Sequence, residues 1–329
     1  MIETDKVKGS INTAAKYGIG TVFVLVILLM LIFEYTEIQK GFHESLTITN
    51  WLQLVLGWIL MVLAIYILGF RWKVLLGETK SYISSLFLGS CLSAGLLLNY
   101  AIPGPFGEVV GSYFVSKKYD IPMARSLAAM LIARVFGLFT SAVGAFICYL
   151  LLPKIQVASY VVHTLMYGIL AGSLVLVFIL FVPQRLPQLN NKMIQSMINA
   201  SVDLSKLPKK NFMIALFWSV IGHILAFGGV YISLDSLGES PSTIGVFFSY
   251  LTSTCCGVIA FLFPGSQFTW DAIFASLLVV STDYTIAQAG IGVIVLRIEQ
   301  IALMLAGGVP LLWLMKQYYR DSEKETSRT

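Results

Sequence analysis

Charge is the scarcest commodity in this 329-residue chain. Only 12% of its residues are Asp, Glu, Lys or Arg, against 57% hydrophobic, and the mean hydropathy is +0.82. So little charge excludes a soluble globular domain and leaves a polytopic membrane protein. Histidine and cysteine are few as well. His43, His163 and His223 are too scattered to form a cluster, and Cys91, Cys148, Cys255 and Cys256 all lie in apolar runs without Cys-x-x-Cys or Cys/His spacing. Neither a metal nor a cofactor is expected, and the cysteines read as buried packing. Strict apolar–polar alternation is lacking, which excludes an outer-membrane barrel. The longest polar stretch, about 183–211, is too short for a soluble catalytic domain, so an enzyme is not expected.

What remains is a series of apolar runs, each read against the roughly 20 residues needed to span hydrocarbon. The first covers 17–33. Lys6, Lys8 and Lys16 precede it and no small-residue cleavage site follows, so it reads as an anchor. The second covers 50–70 and is expected to stop at Arg71-Trp72-Lys73. Further runs cover 123–152, 160–182 and 212–234, and a last one starts at Thr285. The positive-inside rule puts both termini and the lysine-rich stretch 183–211 in the cytoplasm. Within that stretch Met193, Ile194, Met197, Ile198, Val202 and Leu204 recur at helical spacing, which predicts an amphipathic helix at the inner interface.

Two segments break this pattern. The stretch 99–108 runs Asn-Tyr-Ala-Ile-Pro-Gly-Pro-Phe-Gly-Glu inside apolar sequence, and 261–271 runs Phe-Leu-Phe-Pro-Gly-Ser-Gln-Phe-Thr-Trp-Asp. Proline and glycine interrupt helices, and a broken helix at membrane depth must be buried in protein or line a wet cavity. Arg134 follows Glu108 by 26 residues, and Arg297 follows Asp271 by the same 26. Lys117 and Lys118 return the first broken segment, 81–116, to the cytoplasm. The second ends at Asp283 with no lysine or arginine nearby, so it begins and ends outside. Each half therefore has the order helix, helix, re-entrant hairpin, arginine-bearing helix, with opposite orientation. The expected architecture is all-α: one membrane domain over 1–329, inverted repeats 17–152 and 160–315, six full crossings and two re-entrant hairpins.

A charge at the bilayer centre costs about 2.5–3.5 kcal/mol on insertion scales. Glu108, Asp271, Arg134 and Arg297 should therefore face inward and pair. Such pairs can simply lock hairpins to helices. They can also hold a ligand, because helix N-termini near Phe106 and Gln267 favour an anion and arginine offers a planar fork to phosphate. The candidate substrate-contacting residues are Asn99, Pro103, Gly104, Phe106, Gly107, Glu108 and Arg134 in the first half. Pro264, Gly265, Gln267, Asp271 and Arg297 are their counterparts in the second. Phe106, Phe136, Phe261, Phe263, Phe268 and Trp270 would suit an acyl or prenyl chain.

At these residues the chain resembles the family of the lysylphosphatidylglycerol synthase transmembrane region, a flippase-like domain. The matching residues are Pro103 to Tyr113, Tyr119 to Pro122 and Ala128 to Arg134, with Pro264, Gly265, Asp271, Ala272 and Arg297 in the second half. The family often has an arginine where this chain has Gly111, and Gly-Gly-Leu-Gly where it has Gly265 to Phe268. The resemblance implies movement of a lipid headgroup between leaflets of a prokaryotic plasma membrane. The substrate would be an anionic phospholipid or a polyprenyl-phosphate-linked lipid. A homo-oligomer is left open, and nucleic acid is not an expected partner. Aminoacyl transfer is not expected without the synthase half of the fused enzymes. A small-anion or proton-coupled solute transporter and a non-transporting accessory subunit remain as alternatives. A packed interior with all four charges paired would favour the last of these.

Overall fold

The computed structural model describes residues 49–77, 82–101, 106–152, 160–181, 192–238, 240–260 and 266–326. The first expected span and both Pro-Gly breaks lie outside the described residues. Those residues form ten α-helices and no strand: α1 (Trp51–Leu76), α2 (Ser85–Ala101), α3 (Phe106–Tyr119), α4 (Met123–Leu151), α5 (Tyr160–Phe181), α6 (Lys192–Ser205), α7 (Lys209–Asp235), α8 (Thr243–Ala260), α9 (Ser266–Ser281) and α10 (Ile286–Thr326).

Local chemistry sets the ends of these helices. Asn50 caps α1 by accepting from the Gln53 N–H at 3.3 Å, and Gly77 closes it with φ +96°, where a side chain would be strained. Pro122 and Pro208 stand immediately before α4 and α7. Pro208 thus places 209–211 in α7 rather than in the linker. Thr285 and Gln288 form a reciprocal capping box at the start of α10, with bonds of 2.6 and 3.3 Å. The second run does not stop at Arg71. It continues to Leu76, because Arg71 and Trp72 are buried against other helices: Arg71 Nη1 donates to Ser219 Oγ at 3.1 Å and Trp72 Nε1 to the Ser126 carbonyl at 3.2 Å.

Four of the described helices are long and apolar enough to cross a membrane: α1, α4, α7 and α10 as far as Trp313. Many of their large apolar residues point outward, including Leu52, Met213, Leu305 and Leu312, as in helices solvated by lipid rather than water. The amphipathic helix appears as α6, which packs on α4 with Leu204 in the core.

The shorter helices fold back in pairs. The arms α2 and α3 have 17 and 14 residues, and α8 and α9 have 18 and 16. At 1.5 Å per residue each is roughly 21–27 Å long, less than the ~30 Å hydrocarbon thickness. Tyr119 at the end of α3 meets the start of α2: its hydroxyl accepts from the Ser84 N–H at 3.1 Å and its ring lies edge-on to Phe87. Ser281 at the end of α9 likewise donates to the Gly245 carbonyl at the start of α8, at 2.9 Å. Both pairs are thus antiparallel helical hairpins whose open ends are closed.

The longest seam joins α1 to α7. A Cβ at Gly229 would stand 2.6 Å from the Gly57 carbonyl oxygen, so only glycine lets the two backbones cross this closely. Around this pair the hairpins are exchanged. The first arm of each packs on the arginine-bearing helix of the other half, α2 on α10 and α8 on α4. Ser93 of α2 donates to the Leu303 carbonyl of α10 at 2.7 Å, and Leu251 of α8 lies against Gly144 of α4.

Within the first hairpin the arms touch at Gly95 and Gly107, where a Cβ on Gly107 would meet the Gly95 carbonyl oxygen at 2.1 Å. Gly107→Ala should therefore lower the thermal-unfolding midpoint in detergent, at an overpacking cost of about 1–3 kcal/mol. Gly111→Ala, whose Cβ would meet nothing nearer than 3.7 Å, should leave it in place. Equal midpoints for the two variants would mean that the arms do not touch there.

Candidate functional site

The first site forms where α3 begins. Glu108 lies in the first turn of α3, only 5% exposed, and pairs with Arg134 of α4. Asn99, near the end of α2, holds both ends of this arrangement. Its Oδ1 accepts from the Gly107 N–H at 2.7 Å, and its Nδ2 donates to the two Glu108 oxygens at 3.2 and 3.3 Å. One side chain thus caps an orphan N–H of α3 and aims the carboxylate at the arginine. Its amide can face only one way, since Gly107 offers a donor and Glu108 acceptors. Phe106 stands exposed at the helix start.

The second site forms between α9 and α10. Arg297 Nε donates to Asp271 Oδ2 at 2.9 Å while Nη2 pairs with Oδ1, the two-pronged geometry available to arginine but not lysine. Arg297 Nη1 donates to Gln300 Oε1 at 2.5 Å, and the guanidinium lies 5.7 Å from the centre of the Trp270 ring. Asp271 is the sixth residue of α9, not part of its first turn. It therefore lacks the helix-end position of Glu108, although the two acids stand equally far from their arginines in sequence.

The structure thus brings Asn99, Gly107, Glu108 and Arg134 together, and separately Asp271 and Arg297. Pro103, Gly104, Pro264 and Gly265 lie outside the described residues, as does the side chain of Gln267. Of the aromatic residues expected around a chain, Trp270 stacks on Phe274 at 4.7 Å, and Phe136 packs on Phe212 inside the core.

Between the hairpins is a cavity of about 160 Å³. Its walls come from α1 (Met61, Ala64), α2 (Leu96), α7 (Val230), α8 (Tyr250) and the second site, through Trp270 and Gln300. It is mostly apolar, and the same two residues that touch Arg297 form part of its lining.

Two buried charges went unnoticed in the sequence. Arg71, 7% exposed, lies against Gly137, one turn along α4 from Arg134, and feels that residue's charge. Beside it His223 Nε2 bonds the Gly137 carbonyl at 3.1 Å and Ser141 Oγ at 3.2 Å. Glu299 of α10, 5% exposed, accepts from Ser233 Oγ of α7 at 2.8 Å. Among the described residues neither Arg71 nor Glu299 has an ion-pair partner. Arg71 looked like the basic end of a span. Glu299 had a usable signal, a second charge inside the apolar run of Arg297.

An all-helical membrane protein with two helical hairpins, each supplying the acid of an acid–arginine pair, is the class that fold and site define. The family described as the lysylphosphatidylglycerol synthase TM region matches residues 16–308, and the chain belongs to it. No curated relative and no solved structure matches the chain.

Asn99→Ala removes the Gly107 bond and the charged bonds to Glu108. A loss of about 1–3 kcal/mol should follow, read from thermal or denaturant unfolding in detergent. Asn99→Asp keeps the acceptor for Gly107 but sets a second acid against Glu108, and should cost at least as much. Unchanged stability in both variants would show that Asn99 does not organise this site.

Proposed function

We propose that the chain moves a phosphate-bearing amphiphile, an anionic phospholipid or a polyprenyl-phosphate-linked lipid, between membrane leaflets by alternating access. The observation that carries this reading is the junction of a charged head site with an apolar chamber. Arg297, with its planar fork, touches Gln300 and Trp270, and both line the central cavity. A headgroup phosphate suits the arginine, and an apolar chain suits the cavity beside it. Membership of a lipid-related membrane family agrees with this.

The reciprocal packing of α2 on α10 and α8 on α4 supports the inverted-repeat reading. If 17–152 and 160–315 are related by a two-fold axis in the membrane plane, each of these contacts is the image of the other, and the α1–α7 seam lies on the axis. The short, closed hairpins suit re-entrant elements entering from opposite faces. In this reading the termini are cytoplasmic, the membrane is a prokaryotic plasma membrane, and the chain is a transporter without catalytic activity. All four expected charges are paired, as they would be in a static accessory subunit. The cavity and the two additional buried charges favour a moving one, because a rigid core would gain stability from filling the first and removing the second.

Two measurements test this. Lys117→Cys and Asp283→Cys, in intact cells, should be labelled from opposite faces of the membrane, and labelling from one face would remove the inverted arrangement. In proteoliposomes, fluorescent phosphatidylglycerol should cross between leaflets. Arg134→Lys and Arg297→Lys should slow this by about tenfold or more, the rate equivalent of ~1.4 kcal/mol, while the variants stay folded. Parent-like rates would make both arginines structural only, and uptake of a soluble anion without lipid movement would favour a solute transporter.

A further inference from the structure

The acids first expected to matter, Glu108 and Asp271, are both neutralised by arginines. Glu299 is not. Its Oε1 accepts from Ser233, and its Oε2 is buried with no hydrogen-bond partner among the described residues. Ser233 in turn is wedged against Gly57 at the α1–α7 seam. Val230, one turn before Ser233, and Leu296 and Leu303, one turn to either side of Glu299, all line the central cavity. The carboxyl therefore sits at the cavity margin, on the interface between α7 and α10. A cluster of polar groups lies just beyond, at the end of α7: Asp235 holds Gln53 at 3.2 Å and Ser240 at 2.8 Å.

Among the described residues, the groups around Glu299 offer it no counter-charge. On its own helix Arg297 is committed to Asp271 of α9 and to Gln300. On α7, Ser233 does not ionise and Asp235 is acidic. Gln53 of α1 and Ser93 of α2, which reach across to α7 and α10, do not ionise, and Tyr250 of α8 is at the cavity wall. An isolated carboxylate in such a place is costly. A proton is the smallest ligand that removes the charge, and it would sit on the vacant Oε2, leaving the Ser233 bond to Oε1 intact.

We infer that Glu299, braced by Ser233, is the site at which the protein binds and releases a proton, and that this exchange drives or gates its transport cycle. The inference rests in part on the lipid-transport reading. It assigns the coupling ion to a carboxyl outside both acid–arginine pairs. The reaction is a simple protonation: a proton from water at the face to which the site is open adds to Oε2, and it leaves to water when the site opens to the other.

Infrared difference spectroscopy of the full chain in phosphatidylethanolamine–phosphatidylglycerol vesicles reads the proton directly. Between acid and alkaline pH a protonated-carboxyl band should appear and vanish. It should be lost in Glu299→Gln and shifted, not lost, in Ser233→Ala, which removes only the hydrogen bond. In the same vesicles, transport of fluorescent phosphatidylglycerol by the parent should change with the direction of an imposed pH gradient, and Glu299→Gln should lose that response. The proposal is overturned by a band that does not depend on Glu299 or does not titrate. It is also overturned by a parent that moves lipid without regard to the gradient, or by a Glu299→Gln variant that still responds. If the parent moves no lipid at all, the lipid reading fails, and the infrared band alone decides whether Glu299 exchanges a proton.

Discussion

A charge surrounded by hydrocarbon and protein must find an opposite charge or polar partners, or be discharged, and this constraint organises the molecule. Glu108 is almost wholly buried at a helix start, and Arg134 reaches it from a neighbouring helix. Asp271 and Arg297 meet in the same way through a two-pronged contact. Each pair ties a hairpin to the long helix that follows it. Removing either member would strand the other as an uncompensated buried charge. Asn99 shows how closely this is controlled, since a single amide satisfies the α3 N-terminus and orients the carboxylate at once.

The second organising feature is close approach. Small residues let α1 and α7 cross at Gly57 and Gly229, and let the hairpin arms meet at Gly95 and Gly107. In lipid there is little hydrophobic drive to bring helices together, so tight backbone packing and interhelical hydrogen bonds must supply the association. Ser93, Ser219, Ser233, Ser249 and Ser281 act in this way, each bonding across to another helix. Beside this tight seam, between the hairpins, the cavity opens. The arrangement thus packs the hairpin arms and the seam closely and leaves space beside Arg297.

The buried charges divide unevenly between the halves. Arg71 adds a positive charge beside the Glu108–Arg134 pair, and Glu299 adds a negative one two residues from Arg297. The second half thereby holds both the arginine beside the cavity and, on the same helix, an acid without an ion-pair partner among the described residues.

Much of this was legible in the residue pattern, because hydrocarbon imposes a simple rule on sequence. Long apolar runs located the starts of α1, α4, α7 and α10 to within about three residues, while the end of α1 was missed because Arg71 and Trp72 are buried in the core. The repeated Pro-Gly, acid and arginine pattern picked out the two ion pairs before any geometry was known. Those signals are local, or depend on spacing along one chain. The exchange of hairpins between halves, the role of Asn99 and the contact of Arg297 with Gln300 and Trp270 depend on which helix faces which, and residue order does not record that. The fates of Arg71 and Glu299 turned on the same point. A basic residue near the end of an apolar run looks like a surface anchor, and only packing against Gly137 and Ser219 buries it. An acid beside an arginine in one helix looks like its partner. Yet side chains two positions apart on a helix point to different sides, so Arg297 turns to Asp271 on α9 while Glu299 turns to Ser233 on α7.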